Sequence, residues 1–228
     1  MKLYPIILIS FLVIQSCSQK IKPTQNTNQS IATQNDADFT LAFGSCARQN
    51  SNNVFWKDVE QHKSNAWLWL GDLVYGESKN MKHFAAAFEK QKQKSDYQAF
   101  IKNTKVLGVW DDHDYGVNDG GLENPNKKEV QQLFLDFLDV PKEDSRRKQE
   151  GLYSAETFTL EKGKIKVILL DTRYFRTALT DDKKSNKRYQ PNPYGEGTML
   201  GEKQWVWLEN ELKNSDADFN IIGSSVQF

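Results

Sequence analysis

From residue 39 onward, five apolar, β-prone runs punctuate this chain, and every one is followed by a polar, chemically capable group. The runs are 39–43, 66–70, 106–110, 165–170 and 219–222. Each has the length of an ordinary strand, about five residues. Their apolar character is continuous rather than alternating, which is the pattern of strands buried on both faces. Between them lie stretches with helical spacing, at 53–63, 81–101, 127–138 and 202–212, the second of which Ser95 and Asp96 are placed to divide by capping a new helix. Strands alternating with helices predict an α/β protein. In open α/β sheets, ligands bind beyond the carboxyl ends of the strands.

The polar groups fall at those ends. Gly44-Ser45-Cys46 follows the first run, and Gly71-Asp72 with Tyr75 follows the second. Asp111-Asp112-His113-Asp114 with Asn118 follows the third, Asp171 and Arg173 the fourth, and Ser224 and Ser225 the fifth. Three carboxylates and a histidine within four positions are not core material, because charged groups are seldom fully buried unless paired or bound to metal. A hydrolytic metal centre is the chemistry this set supports. Two metals clamp the attacking and leaving oxygens of a phosphate ester, and they need a bridging carboxylate. Asp72 suits that role, since the preceding glycine permits a sharp turn. Asp112 suits a terminal ligand, and His113 either binds metal or stabilises the transferred phosphoryl group. Cys46 as thiolate and Tyr75 as phenolate suit an oxidising ion such as ferric iron. The planar fork of Arg173 suits phosphate oxygens. Taken singly, these residues have ordinary readings. Cys46 is then a small core hydrophobe, Tyr75 a packed aromatic, Asp72 a turn residue and Arg173 half of a structural ion pair.

Charge excludes one class of function. The chain carries 30 basic and 30 acidic residues, so its net charge gives no electrostatic case for nucleic-acid binding. Lys183, Lys184, Lys187 and Arg188 are offset by Asp181 and Asp182 and read as a solvated loop. They belong to an aperiodic segment, 177–197, of the length that often covers functional sites.

The N-terminus predicts export. Residues 1–17 have a weakly positive start and an apolar run at 6–14 too short to span a bilayer, which is the pattern of a signal peptide. The run leads to Ile14-Gln15-Ser16-Cys17, which resembles a bacterial lipobox with Cys17 as the lipid-bearing residue. Residues 18–38, rich in Gln, Asn, Thr, Ser and Lys, read as a flexible polar tether. The expected location is the cell envelope, on the periplasmic or outer side of a bacterial membrane, with the domain at 39–228 expected to be monomeric. With Cys17 lipidated, Cys46 has no intrachain disulfide partner, which leaves burial or metal ligation to explain it.

One ordered set of motifs is specific. Gly44-Ser45-Cys46, Gly71-Asp72 with Tyr75 and Glu77, Trp110-Asp111-Asp112-His113-Asp114 with Asn118-Asp119, Leu170-Asp171-Thr172-Arg173, and Leu200-Gly201 with Gln204, Trp207 and Leu208 occur in this order. Together they resemble the PhoD-like alkaline phosphatases, a branch of the calcineurin-like metallophosphoesterases. The resemblance covers 39–228. It implies a four-layer α/β/β/α sandwich, phosphomonoesterase or phosphodiesterase activity on a phosphate-ester substrate, and a centre holding Fe3+ and Ca2+. By position it assigns Cys46, Asp72 and Tyr75 to iron, with Asp72 bridging to calcium and Asp112 and Asn118 on the calcium side.

The chain also departs from the pattern. The family supplies further ligands, histidines among them, from a segment after a later strand, whereas this sequence contains only His62, His83 and His113. The expectation is therefore a domain incomplete at its C-terminus, supplying the N-terminal portion of the sandwich. Two rivals follow: a non-catalytic metal- or phosphate-binding lipoprotein, and a carbohydrate hydrolase using paired carboxylates such as Asp112 and Asp114. A serine hydrolase built on Ser224 is excluded for want of a histidine placed to activate it.

Overall fold

A computed structural model describes residues 37–76 and 80–227. The expected signal peptide with Cys17, nearly all of the tether, and Glu77 lie outside these residues. The described residues all belong to one compact unit.

The first sheet is parallel, with strands β1 (Leu41–Gly44), β2 (Ala66–Leu70) and β3 (Lys105–Val109) in that order. Its connections are helical, as parallel pairing requires. Helix α1 (Trp56–Gln61) joins β1 to β2. Helices α2 (Met81–Lys92) and α3 (Ser95–Ile101) join β2 to β3. After β3 come the single turn α4 (Asp112–Tyr115) and helix α5 (Lys127–Phe137). The second sheet orders β4 (Ser154–Leu160), β5 (Gly163–Leu170) and β8 (Phe219–Ser224). Its β4 and β5 run antiparallel, while β5 and β8 run parallel, joined through helix α6 (Gly201–Lys213). Between β5 and α6, strands β6 (Thr180–Asp181) and β7 (Tyr189–Gln190) form a small antiparallel hairpin.

Packing follows the alternation of side chains along each strand. On β2, Trp67 and Trp69 face the helices. Trp56 of α1 meets Trp67, Trp69, Tyr97 and Phe100 with ring centroids 5.1, 5.4, 4.9 and 5.2 Å away. The Trp69 indole donates to the Tyr97 hydroxyl at 3.1 Å, so the polar atoms of that pair satisfy each other. On the opposite face, Leu70 reaches the second sheet at Gly223 of β8. A Cβ there would lie 2.7 Å from a Leu169 methyl and 3.0 Å from a Leu70 methyl, so glycine lets the strands pass closely without displacing those side chains. On β5, Val167 and Leu169 join the main core, while Ile168 and Leu170 join a second cluster with Leu200 and Leu208 of the α6 segment.

All five expected strands form, within a few residues of the expected bounds, and so do the expected helices. The long 81–101 pattern breaks after Lys92, as expected, but Ser95 does not cap the new helix. The cap position is Lys94, in extended conformation and without a side-chain cap bond. Instead Gln98 turns back and donates to the Lys92 carbonyl at 2.7 Å, tying the two helices together. The continuous-run criterion missed β4, an edge strand whose Thr157 and Thr159 alternate with Phe158 and Leu160. Among the described residues, no helix is long and apolar enough to cross a membrane.

Candidate metal centre

The site is assembled where the loops after β1, β2 and β3 meet. The Cys46 backbone N–H donates to the Gly71 carbonyl at 3.2 Å, which stitches the first loop to the second. Two consecutive residues then take left-handed backbone, Gly71 at φ +93° and Asp72 at φ +54°. A Cβ at position 71 would lie 2.4 Å from the Asp111 Cβ, so glycine is dictated by contact as well as by φ. Cys46 is also left-handed, at φ +60°. Non-glycine residues held in this region are uncommon, and they cluster where side-chain aim matters.

The aim concerns one carboxylate. Asp72 Oδ2 accepts from the Tyr75 hydroxyl at 3.2 Å and faces the Cys46 Sγ at 3.8 Å. Its Oδ1 lies 3.4 Å from the His113 backbone nitrogen. The two oxygens of a single carboxylate therefore look to different partner sets. Asp72, Asp112 and His113 each bring a ligand atom to within 4.8 Å of the others. Burial, and after it the Asp112 charge, raises the Asp72 pKa. Burial and the neighbouring Asp72 charge raise that of the Tyr75 hydroxyl. A group of like charges with partly desolvated donors is what a cation relieves.

The acidic run divides its labour. Asp112 accepts from the Asp119 backbone N–H at 2.7 Å and presents its carboxylate beside Asp72. Asp114 is fully buried. It accepts from the Asp111 N–H at 2.6 Å and the Leu73 N–H at 3.1 Å, so it locks α4 against the β2 loop. That use removes Asp114 from an acid–base pair with Asp112. Asp111 receives the buried Arg173, whose Nε and Nη2 both lie 2.6 Å from Asp111 Oδ1, with Nη2 3.7 Å from Asp112. Behind them Asp171 accepts from Trp110 Nε1 at 2.9 Å and from three backbone N–H groups, those of Leu152, Arg173 and Tyr174. Gln204 clamps the Asp171 main chain with two bonds of 2.8 Å.

Residues 12–228 match the sequence profile of the PhoD-like phosphatases. The chain belongs to the PhoD-like phosphatase family. A solved structure titled "Structure of PhoD" resembles this fold with a TM-score of 0.63 at 19% identity. The likeness covers 81% of this chain and 41% of that one, so this chain spans less than half the length of the solved structure it matches. No curated protein matches the chain.

Within this PhoD-like fold, the expected site residues are placed as follows. Cys46, Asp72, Tyr75, Asp112 and His113 converge. Cys46 is exposed rather than buried, which excludes the core-hydrophobe reading. Asn118 is exposed, and its amide donates to Asp119 Oδ2 at 2.9 Å. His62, at the end of α1, and His83, in α2, are both exposed on their helices. Ser224 donates to the Val226 carbonyl at 2.8 Å, and Ser225 pairs with Thr172.

Sequence reasoning passed over Arg48 and Gln49, and placed Asp119 in a motif without giving it a role. Gln49 holds the Tyr75 backbone with two bonds, accepting from its N–H at 2.9 Å and donating to its carbonyl at 2.8 Å. Arg48 lies over the Tyr75 ring, 4.2 Å from the centroid. Asp119 anchors the 177–197 segment, with Arg188 at 2.6 Å and the Tyr189 hydroxyl at 3.0 Å from its Oδ2. The proximity of Arg48 and Gln49 to Cys46 was the signal available for the first two.

Proposed function

We propose that this chain carries the metal-binding core of an exported, metal-dependent phosphoesterase acting on phosphomonoesters or phosphodiesters. The observation that carries the reading is the Asp72 carboxylate, with Cys46 and Tyr75 at one oxygen and His113 at the other, beside Asp112 in a PhoD-like fold. The donor set fits two unlike cations. Cys46, Asp72 and Tyr75 would hold Fe3+. Asp72 and Asp112, with Asn118 from the following loop, would hold Ca2+, a hard ion that takes oxygen ligands. Bound there, the pair of ions would supply an activated hydroxide and stabilise the leaving oxygen. His113 orients the transferred phosphoryl group and the departing alkoxide by hydrogen bonding. Arg173 acts on Asp111 and so fixes the entry to α4.

The architecture proposed for the complete domain is the four-layer α/β/β/α sandwich, with helices α1–α5 outside the first sheet and α6 outside the second. The protein is monomeric in this reading. Cys17 carries lipid and tethers the domain through residues 18–38 to the periplasmic or outer face of a bacterial membrane.

The test is hydrolysis of bis(p-nitrophenyl) phosphate by the full chain before and after chelation and metal restoration. Chelator-sensitive turnover that is lost in Asp72→Ala supports the proposal. Metal and phosphate binding without turnover would instead favour a non-catalytic lipoprotein.

A further inference from the structure

Four arginines surround the Asp72 and Asp112 group or the segments that touch it, and three are committed. Arg173 is buried on Asp111. Arg176 donates to the carbonyls of Asp119 and Gly120. Arg188 pairs with the Asp119 carboxylate. Arg48 differs. It makes no ion pair among the described residues. What holds it is the face of the Tyr75 ring, 4.2 Å from the guanidinium carbon, and the same ring lies 4.3 Å from that of His113.

This placement is fixed from both sides. Ala47 is buried, and Gln49 is buried and doubly bonded to the Tyr75 backbone. The Arg48 carbonyl accepts from the Lys94 ammonium at 3.1 Å and the Ser51 N–H at 3.0 Å. Stacking uses the π face of a guanidinium and leaves its N–H edge open, and that edge is the part that grips oxyanions. An arginine already ordered on a ring loses little side-chain freedom when a ligand arrives.

We infer that Arg48 is a substrate-contact residue whose N–H edge binds a non-bridging oxygen of the phosphoryl group seated at Asp72, Asp112 and His113. The inference rests on the phosphoesterase reading above and adds to it the residue that recognises the anion. The competing role is purely structural, with Arg48 serving only to hold the Tyr75 ring in place.

The experiment uses the full chain loaded with ferric iron and calcium, with metal content measured by elemental analysis and inorganic phosphate as the probe in calorimetry. Loss of a charge-assisted hydrogen bond predicts that Arg48→Ala binds phosphate about tenfold or more weakly. Its metal content should be unchanged, and Arg48→Lys should recover part of the affinity. Unchanged phosphate affinity in Arg48→Ala with full metal content overturns the inference and leaves the metal centre standing. Loss of metal from Arg48→Ala overturns it in favour of the structural role. A wild-type chain that takes up no metal fails the phosphoesterase reading itself, and the inference falls with it.

Discussion

The Tyr75 hydroxyl donates to Asp72 Oδ2 at 3.2 Å, although the carboxylate sits three residues back along a loop with left-handed backbone at Asp72. The bond closes the β2 loop on itself and leaves the Cys46 thiol facing the same oxygen. Were a cation held by Cys46, Asp72 and Tyr75, the thiol and the phenol would have to give up their protons, since ligands must be deprotonated to bind.

Metal should therefore stabilise the folded chain measurably. A ligand that binds only the native state at one hundred times its dissociation constant adds about 2.7 kcal/mol. A thermal melt with ferric iron and calcium is expected to shift upward and to return to the metal-free value on chelation. Asp72→Asn should melt close to the metal-free wild type and show no such shift. A full metal-induced shift in Asp72→Asn would sink the central role of this carboxylate.

Gly71 is the position where the β2 loop passes against Asp111. Its φ of +93° and the 2.4 Å approach to the Asp111 Cβ make Gly71→Ala both strained and sterically blocked. The expected cost is about 2 kcal/mol or more, together with loss of metal affinity, because Asp72 is the next residue. Denaturant unfolding and metal titration of the variant check both halves. Unchanged values would show that the loop has an alternative path.

Trp56 anchors the helical side of the first sheet. It is 1% exposed and contacts two tryptophans, a tyrosine and two phenylalanines. Trp56→Ala is expected to cost about 3–5 kcal/mol. Trp56→Phe should cost much less, partly because the buried Trp56 Nε1 has no partner among the described residues and its removal relieves a desolvated donor. Equal losses in the two variants would place the energy elsewhere than in cavity formation.

Asp144 provides a pH test away from the site. Its hydrogen bonds and ion pair with Arg146 pull its pKa down from 3.8 to about 2. A carboxylate depressed in the folded state binds fewer protons there than in the unfolded chain. Its contribution is present above the ordinary value and is lost as pH falls toward about 2. The pair is solvent-accessible, so Asp144→Asn should cost less than about 1 kcal/mol at neutral pH. Near pH 2 the variant and wild type should unfold alike. A difference that persists undiminished at pH 2 would mean the loss is not electrostatic.

Strands such as 66–70 and 165–170 were legible because continuous apolar runs bounded by glycine or charge have few other fates. The convergence of Cys46, Asp72 and Asp112 was legible because consecutive parallel strands deliver their C-terminal loops to one edge. The Thr-rich β4 was not legible in this way, since an edge strand half in water alternates Thr157 and Thr159 with Phe158 and Leu160 instead of forming a continuous apolar run. Nor was the split of work within 111–114. Four adjacent polar residues look equivalent in one dimension. Only the backbone of α4 turns Asp114 inward to N–H groups and leaves Asp112 facing Asp72. Asp119 was read as part of a motif, but its service as an anchor depends on Arg188 and Tyr189, about 70 residues away in sequence.

That anchor governs the 177–197 segment. The Asp119 carboxylate holds Arg188 and Tyr189 of the β6–β7 hairpin, while its backbone N–H holds Asp112. One residue thus connects the candidate metal ligand to the β6–β7 hairpin. Asp119→Asn keeps a residue type that tolerates the left-handed φ of +54° and removes the charge. Because exposed ion pairs contribute little to global stability, the melting temperature should barely move. The 177–197 segment itself should open more often, since segments with few buried contacts exchange locally. Trypsin cleavage after Lys183, Lys184 or Lys187, all exposed, is the readout, and it should proceed several-fold faster in the variant. Identical cleavage rates would show that the hairpin is held by its own backbone pairing and that Asp119 serves Asp112 alone.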